Sequence, residues 1–370
     1  MLIGIDASRA VTDKRTGTEA YALHLIRSLI TVTEGQDYQL RLYFNYPPPD
    51  DLFPDLPHVE QCNIPFARLW THVRLAYELR QRAPDVFFTP AHVIPFTFRG
   101  RSVATVHDLG YHYFPEAHTR RQLVYLKLST RSNGRISRKI IADSKATEAD
   151  LVAIYKLDPS KIAVVYPGID PQLKQVTDEN ELKAVRQKYD ISAPYLLFIS
   201  TLQPRKNLVR LVQAYVRSGL SHMLVLAGSQ GWRSGPILDE INKLEPSIRQ
   251  RVQLTGFIED EDKAALISGA TALLYPSLYE GFGFPILEGQ KCGVPVMAAN
   301  TSSLPEIAGD AALLVDPEDS SALVEGMRRI VVGRDLRLEL QKKGYVNVQR
   351  FTWENAAVKV LQTLKQAAVA

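Results

Sequence analysis

The sequence predicts an α/β protein of two domains, each built on a parallel sheet. Short apolar runs typical of buried strands alternate with longer helical patterns along nearly the whole chain. The chain has 370 residues, more than one core comfortably accommodates. A polar stretch with few apolar positions, 171–190, lies near the middle, and we place the domain junction there.

Seven strands are predicted in the first domain: 2–8, 38–45, 59–64, 85–89, 102–108, 140–144 and 161–168. Six are predicted in the second: 195–200, 223–228, 252–257, 270–276, 295–300 and 311–316. Helices are expected between them, including 18–31 and 66–82, and after the last strand. The predicted organisation is a first domain 1–172, a linker 173–192, a second domain 193–351 and a C-terminal helix 352–370.

Composition excludes several classes of protein. The hydrophobic fraction is 45%, and the net charge of +4 is too small to indicate nucleic-acid binding. No apolar run reaches the roughly 20 residues that span a bilayer, and the first residues lack a basic segment typical of a signal peptide. Cys62 and Cys292, both in apolar runs, are expected to be buried free thiols in a reducing cytosol. We therefore expect a cytoplasmic protein.

The segment around which we expect the chain to be organised is 275–296, in which Glu280 and Glu288 stand eight residues apart. A strand precedes them, a glycine turn with Gly281 and Gly283 lies between, and a short helix with Pro285 near its start follows. Free N–H groups of residues 284–287 would point out of that helix, and paired carboxylate oxygens suit vicinal diols of a sugar or ribose. The alternative is that the glutamates only complement the helix dipole.

Four other residues are candidates for the same chemistry. Arg205 and Lys206 follow a strand and precede a helix, an arrangement that suits a diphosphate, although surface Arg-Lys pairs are usually inert. His107 ends a predicted strand, where parallel sheets present side chains to ligands, but such a histidine is often only a satisfied polar residue. Gly17 starts a helix without completing GxGxxG, which argues against a nicotinamide dehydrogenase.

A basic stretch runs from Arg120 to Lys145, with eight Lys or Arg against one acid. Lys127, Arg131, Arg135 and Lys139 recur every four residues, which would align them on one helical face. The ordinary interpretation is a solvated helix face. The sharper hypothesis is peripheral contact with anionic headgroups on the inner face of the membrane, or with a lipid-phosphate acceptor.

Taken together, the motifs resemble those of the retaining glycosyltransferases of family 4, over nearly the full length. They are TGTEAY (16–21), VHDL (106–109), ADSKATEADL (142–151), VVYPGID (164–170), STLQPRKNL (200–208), TGFIEDED (255–262), E-x7-E (280–288) and SSLPEIAGDAALLVDPED (302–319). The subgroup they resemble most is the bacterial mannosyltransferases of polysaccharide and O-antigen assembly. The resemblance implies the GT-B architecture, two Rossmann-like domains whose parallel sheets face an interdomain cleft.

The resemblance also implies roles for individual residues. Glu288 would hold the ribose hydroxyls, and Glu280 with the backbone of Phe282–Phe284 would hold the transferred sugar. Arg205 and Lys206 would bind the diphosphate, and His107 would sit by the attacked carbon. The remaining donor contacts implied are Gly17, Phe257, Ile258, Gly281, Gly283 and Leu287. Many relatives carry an arginine where this chain has Thr201, and Arg205 is expected to substitute for it.

The implied reaction moves a hexose from a nucleotide-diphosphate sugar to a lipid-linked or growing glycan. GDP-mannose is the candidate donor. No Asp-x-Asp motif is evident in a suitable loop, so we expect no metal and no further cofactor. Two alternatives stay open. A nucleotide-sugar epimerase would need acid and base residues that the sequence does not reveal, and a non-catalytic sugar-nucleotide-binding scaffold would not need Arg205, Lys206 and His107 together.

Overall fold

The computed structural model describes residues 1–12, 17–91, 93–192 and 194–369. The chain divides into two compact units. The first comprises Met1–Gly168 and Phe351–Ala370, and the second comprises Ile169–Arg350. Each unit contains one parallel sheet. Two parallel α/β domains are therefore present, as the sequence predicts.

The first sheet contains seven strands, all paired in parallel among the described residues. They are β1 (Leu2–Asp6), β2 (Gln39–Phe44), β3 (Val59–Asn63), β4 (Val86–Thr89), β5 (Ser102–Val106), β6 (Lys139–Ala142) and β7 (Ile162–Val164). Their order across the sheet is β3-β2-β1-β4-β5-β6-β7. The helices of this unit are α1 (Gly17–Thr33), α2 (Ala76–Gln81), α3 (Gly110–Tyr113), α4 (Arg120–Ile136) and α5 (Lys145–Tyr155). The apolar side chains of β1 and β2 are buried except for the half-buried Leu2, as expected for strands covered on both faces of the sheet.

The second sheet contains β8 (Tyr195–Ile199), β9 (Met223–Ala227), β10 (Val252–Gly256), β11 (Ala272–Tyr275), β12 (Val296–Ala299) and β13 (Ala312–Val315). Their order across the sheet is β10-β9-β8-β11-β12-β13. Its helices are α6 (Glu179–Lys188), α7 (Leu208–Ser218), α8 (Gly235–Asn242), α9 (Pro246–Arg249), α10 (Asp260–Ser268), α11 (Phe284–Lys291), α12 (Leu304–Ala308), α13 (Ser320–Val332) and α14 (Arg334–Asn347). Each of the thirteen predicted strands is present and is somewhat shorter than the run that predicted it.

The last helix, α15 (Trp353–Val369), belongs to the first unit. Its apolar face joins one hydrophobic core with α1 and the β1–β2 strands. Gly168, at the end of the first segment of this unit, lies against the start of α15. A Cβ added at Gly168 would be 2.3 Å from the Trp353 backbone nitrogen, so this contact leaves no room for a side chain. The chain thus completes the first domain with its final residues.

Several sequence predictions need correction. Residues 173–192 are not a free linker, because α6 lies within them and packs against α10 inside the second unit. The predicted helix 66–82 is regular only from Thr71, as one π-helical turn (Thr71–Leu75) followed by α2. Leu69 interrupts it with a φ of 55°, a left-handed conformation that cannot continue a right-handed helix.

The row of basic side chains predicted for one helical face, Lys127, Arg131, Arg135 and Lys139, is shorter than predicted. Helix α4 ends at Ile136, and Lys139 lies in β6, where its Nζ donates to the Ser160 carbonyl at 2.8 Å. The cysteines are free, and Cys292 is buried, but Cys62 is only half-buried. Across the described ranges, no helix combines the length and apolar character that a membrane span requires.

Candidate functional site

The candidate site of the second unit lies where two neighbouring strands end. Strands β8 and β11 pair in parallel, so the segments that follow them begin at the same edge of the sheet. Arg205 and Lys206 occupy a short 3₁₀ turn after β8, and Glu280 follows β11. The Leu278 amide donates to the Arg205 carbonyl at 2.8 Å and joins the two segments. Sheet register, rather than closeness in sequence, brings these residues together.

Glu280 is the centre of a hydrogen-bonded charge cluster. Its Oε1 accepts from Lys206 Nζ at 2.5 Å and from the Tyr275 hydroxyl at 2.9 Å. Its Oε2 accepts from Arg205 Nη1 at 2.7 Å, and the same Nη1 donates to the Tyr279 carbonyl at 2.9 Å. Lys206 Nζ also donates to the Tyr275 hydroxyl at 2.7 Å. The carboxylate therefore fixes the positions of two cations.

The cluster is buried, which strengthens its electrostatics. Side-chain exposure is 3% for Lys206 and 8% for Glu280, against 21% for Arg205. Burial by itself would raise the pKa of Glu280, but the charges of Arg205 and Lys206 outweigh it and lower that pKa to about 2. Burial, reinforced by the Glu280 charge, raises the pKa of Tyr275 well above its ordinary value. Glu280 is therefore an anion and Tyr275 a neutral donor at neutral pH.

The loop that carries Glu280 is held by two serines that sequence reasoning did not select. The Glu280 amide donates to Ser302 Oγ at 2.9 Å. Ser303 Oγ lies 2.9 Å from the Glu280 carbonyl and 2.8 Å from the Phe282 carbonyl, and shares its proton between them. Gly283 then turns the chain into α11 with a φ of 111°, and a Cβ there would come within 2.7 Å of Leu304. The only signal for Ser302 and Ser303 in the sequence is the SSLPE motif that they begin.

Glu288 lies in the second turn of α11. Its Oε1 accepts from Lys263 Nζ, on α10, at 2.6 Å. Burial lowers the pKa of Lys263, but the charge and hydrogen bond of Glu288 outweigh it and raise that pKa. Lys263 thereby orients the carboxylate, a partner that the sequence analysis missed because it lies 25 residues earlier.

The remaining predicted positions of this unit differ in exposure. Leu287 is fully buried in the core, so only its backbone is open to a ligand role. Phe282 is also buried, and its ring packs edge-on against Phe284 with centroids 4.9 Å apart. Phe257 and Ile258 follow β10, at the far end of the sheet order from β13, with 54% and 8% exposure. The exposed Phe257 ring is available for stacking.

In the first unit, His107 is held by a buried carboxylate. Val106 of β5 pairs with Ala142 of β6, so His107 and Asp143 follow at neighbouring strand ends. His107 Nδ1 and Asp143 Oδ2 are 2.6 Å apart. Burial lowers the pKa of His107, but the charge and hydrogen bond of Asp143 outweigh it, so the pKa of His107 is raised. Asp143 thus positions the ring and favours its protonated form.

Aromatic residues fix the other side of His107. The Tyr21 ring, on α1, meets the imidazole edge-on with centroids 4.7 Å apart. Trp353, the first residue of α15, in turn packs on Tyr21 at 5.6 Å and on His24 at 5.4 Å. Gly17 stands one helical turn before Tyr21 at the exposed start of α1, and the residues just before it lie outside the described part of the chain. The C-terminal helix therefore supports the histidine.

Asp143→Asn is expected to lower the pKa of His107, because the burial that disfavours imidazolium remains while the opposing charge is lost. The imidazole resonances of His107, followed by NMR across the pH range, would measure the shift. Asp150→Asn is the matched control, since Asp150 lies on α5 but contacts Tyr113. An unchanged titration in Asp143→Asn would contradict the assigned role.

Comparisons with known proteins agree with this arrangement. The model of the family "Glycosyltransferase Family 4" matches residues 15–173, and that of "Glycosyl transferases group 1" matches residues 181–347. The chain belongs to these glycosyltransferases. O-antigen chain mannosyltransferase B of Escherichia coli is 29% identical to it over 298 residues, 79% of this chain and 77% of the relative. Serotype-specific mannosyltransferase WbdA of Escherichia coli is 29% identical over 227 residues, which are 59% of this chain and 27% of the relative.

Solved structures confirm the GT-B fold of this glycosyltransferase. Sucrose-phosphate synthase of Thermosynechococcus elongatus superposes with a TM-score of 0.76 at 20% identity, covering 99% of this chain and 98% of the other. Anabaena HepE, solved with UDP and glucose, gives 0.73 at 18% identity, with 99% of both chains covered. WaaG, described as a glycosyltransferase involved in lipopolysaccharide biosynthesis, gives 0.70 at 17% identity, covering 98% and 99%.

The glycosyltransferase thus presents its predicted residues as three groups. Arg205, Lys206 and Glu280 form one cluster, Glu288 forms an ion pair of its own, and His107 belongs to the other unit. Within the described residues, no three His, Cys, Asp or Glu side chains are grouped as metal ligands. The partners Lys263, Asp143 and Tyr21 were not predicted, because each depends on strand register or helix packing. Tyr275 was not predicted as a partner either, although it lies only five residues before Glu280.

Proposed function

We propose that this glycosyltransferase moves a hexose, with mannose favoured, from a nucleotide-diphosphate sugar to a lipid-linked or growing glycan. GDP-mannose is the favoured donor, and the anomeric configuration is retained. The names of the Escherichia coli relatives support mannosyl transfer in O-antigen assembly. The observation that carries the proposal is the cluster in which Glu280 holds Arg205 and Lys206 at the carboxyl edge of the sheet.

The cluster suits departure of a diphosphate. As the bond between the anomeric carbon and the phosphate oxygen breaks, negative charge grows on the leaving group. Arg205 and Lys206 are already oriented by Glu280, so little reorganisation is needed to stabilise that charge. Two cations against one carboxylate leave a net positive charge for the diphosphate. This is the basis for proposing that no metal ion is needed.

Retention is proposed to arise from attack on the face that the diphosphate leaves. The acceptor hydroxyl oxygen forms its bond to the anomeric carbon as the bond to phosphate breaks. Its proton passes to the departing phosphate oxygen, so the leaving group serves as the base. Glu280 already accepts three hydrogen bonds, and its pKa is lowered. Its carboxylate is therefore a poor proton acceptor. Its contact with the transferred sugar, implied by the resemblance, remains a proposal.

The proposal also assigns roles to Glu288, to residues of the first unit and to the basic stretch. The Glu288 carboxylate, oriented by Lys263, would hold the ribose hydroxyls, and Phe257 with Ile258 would border the base. His107 would act beside the transferred sugar, and Gly17 beside the diphosphate. We place the enzyme in the cytoplasm, in peripheral contact with the inner face of the membrane through the basic stretch that begins at Arg120.

A thermal-shift panel tests the donor site. GDP, UDP, ADP and dTDP are each added with magnesium or with EDTA, because a ligand that binds only the folded chain raises the unfolding midpoint by mass action. We expect GDP to give the largest rise and EDTA to leave it unchanged. A rise that requires magnesium would overturn metal independence. The absence of a rise with all four nucleotides would overturn the donor site and favour a scaffold that binds no nucleotide.

A further inference from the structure

Lys263 and Glu288 form an ion pair that is separate from the cluster around Glu280. Lys263 is the fourth residue of α10, and its Nζ donates to Glu288 Oε1, on α11, at 2.6 Å. The two side chains are 30% and 12% exposed. Burial lowers the pKa of Lys263, but the charge and hydrogen bond of Glu288 raise it by more, so Lys263 is an ammonium ion at neutral pH. The pair is thus two opposite charges that are mostly buried but open to a ligand.

Both members of the pair have hydrogen-bonding capacity that the protein does not use. An ammonium group has three N–H donors, and a carboxylate has two acceptor oxygens. Within the described part of the chain, Lys263 Nζ donates to Glu288 Oε1 alone, and Glu288 Oε2 accepts no hydrogen bond. Spare donors and a spare acceptor therefore lie side by side.

The helix that carries Lys263 is fixed from its other side. Asp262, the preceding residue, accepts through Oδ2 from Lys188 Nζ at 2.6 Å and from the Tyr189 hydroxyl at 2.7 Å. The same hydroxyl accepts from the Glu259 amide at 3.4 Å. Residues at the end of α6 thus hold both the start of α10 and the loop before it. The position of Lys263 therefore does not depend on Glu288 alone.

A carboxylate beside an ammonium group is complementary to two neighbouring hydroxyls. Each hydroxyl can donate one hydrogen bond and can also accept. One hydroxyl would donate to Glu288 Oε2, and the oxygen of the next would accept from Lys263 Nζ. Hydrogen bonds with a charged partner are the stronger kind, and a ligand without the hydroxyls leaves both charged groups without that partner. Such a pair discriminates strongly against the deoxy form of a sugar.

We infer that Lys263 contacts the ribose of the donor directly, together with Glu288, and makes the site select nucleotides that carry both ribose hydroxyls. The inference rests on the proposed function, in which Glu288 holds the ribose and Lys263 only orients its carboxylate. Phe257 and Ile258, the proposed neighbours of the base, begin the connection that leads to Lys263. Base and ribose are thus read by one continuous segment, 257–263, acting with Glu288.

Isothermal titration calorimetry with GDP and with 2′,3′-dideoxy-GDP, without sugar or acceptor, tests the inference. We expect the unmodified chain to bind GDP about 100-fold more tightly, because two charge-assisted hydrogen bonds are lost with the hydroxyls. K263M is expected to bind GDP about 10-fold more weakly and to keep its affinity for the dideoxy form. K263R retains a cation and should restore much of the preference.

K291M is the matched control. Lys291 also lies on α11, but it donates to the Asp170 carbonyl at 2.9 Å and not to Glu288. Its loss should leave the preference for GDP over the dideoxy form unchanged. Equal weakening of both nucleotides in K263M would overturn the direct contact and leave Lys263 as a positioning residue.

Two outcomes with the unmodified chain are independent of how well a variant folds. Equal affinity for GDP and 2′,3′-dideoxy-GDP would overturn ribose selection while the proposed donor site stood. Absence of binding by both nucleotides would overturn the proposed GDP site and, with it, the inference. The unfolding midpoints of K263M and K263R, measured in parallel, report whether each variant is folded at the temperature of the titration.

Discussion

Replacement of Glu280 by glutamine is expected to lower the free energy of unfolding of the second unit by about 3–5 kcal/mol. The glutamine keeps the shape but removes the charge that Lys206 needs, and Lys206 is only 3% exposed. A buried ammonium without a counter-ion is far more costly than a missing hydrogen bond. Hydrogen exchange of the β8 and β11 amides in the unmodified chain and in E280Q would measure the loss in this unit.

The double variant E280Q/K206M is the control for this explanation. With both charges gone, Arg205 is the cation of the cluster that remains, and it is 21% exposed and still donates to the Tyr279 carbonyl. Much of the lost stability should therefore return although the cluster is destroyed. A double variant no more stable than E280Q would contradict the explanation. The pH dependence gives a second check. Because the pKa of Glu280 is lowered from 4.5 to about 2, its contribution is present above pH 4.5 and is lost as pH falls toward 2. The difference between the unmodified chain and E280Q should shrink over that range.

Replacement of Arg205 by methionine is expected to lower kcat for transfer by about 100- to 1,000-fold, the usual cost of removing one preorganised group that stabilises developing charge. Folding should be affected less than in E280Q, because Lys206 and Tyr275 still donate to Glu280. Donor turnover, followed by release of the nucleoside diphosphate, would measure kcat, and a thermal scan would report folding.

Arg210→Met is the matched control, since Arg210 lies on α7, close to Arg205 in sequence, and donates to Asn207 and to the Pro317 carbonyl rather than to Glu280. Its kcat should stay near that of the unmodified chain. Equal activity of R205M and R210M would remove Arg205 from the proposed chemistry. If the unmodified chain bound nucleotide but transferred no sugar from any donor tested, the binding-scaffold alternative would replace the proposed enzyme.

Much of this protein follows from local patterns. Buried parallel strands are apolar throughout, so thirteen short apolar runs separated by helical periodicity predict two α/β sheets. The glycines and proline around α11 mark a turn and a helix start. Arg205 and Lys206 stand out because they follow a strand and precede a helix, and Glu280 stands out because it pairs with Glu288 across the glycine turn. These are properties of residues near in sequence, which the sequence displays directly.

Other features depended on which strands pair and which helices pack. Only the register of β5 with β6 places Asp143 beside His107, and only the packing of α10 on α11 places Lys263 beside Glu288. Lys139 was expected on the basic face of helix α4, and residues 173–192 were expected to form a linker. Both predictions were wrong because periodicity and polarity do not reveal what an element packs against. Residue types and their local order were therefore enough to predict the fold class and the charged residues of the candidate site. Tertiary structure alone decided each charge's partner, because the energy of a buried charge depends on neighbours that are distant in sequence.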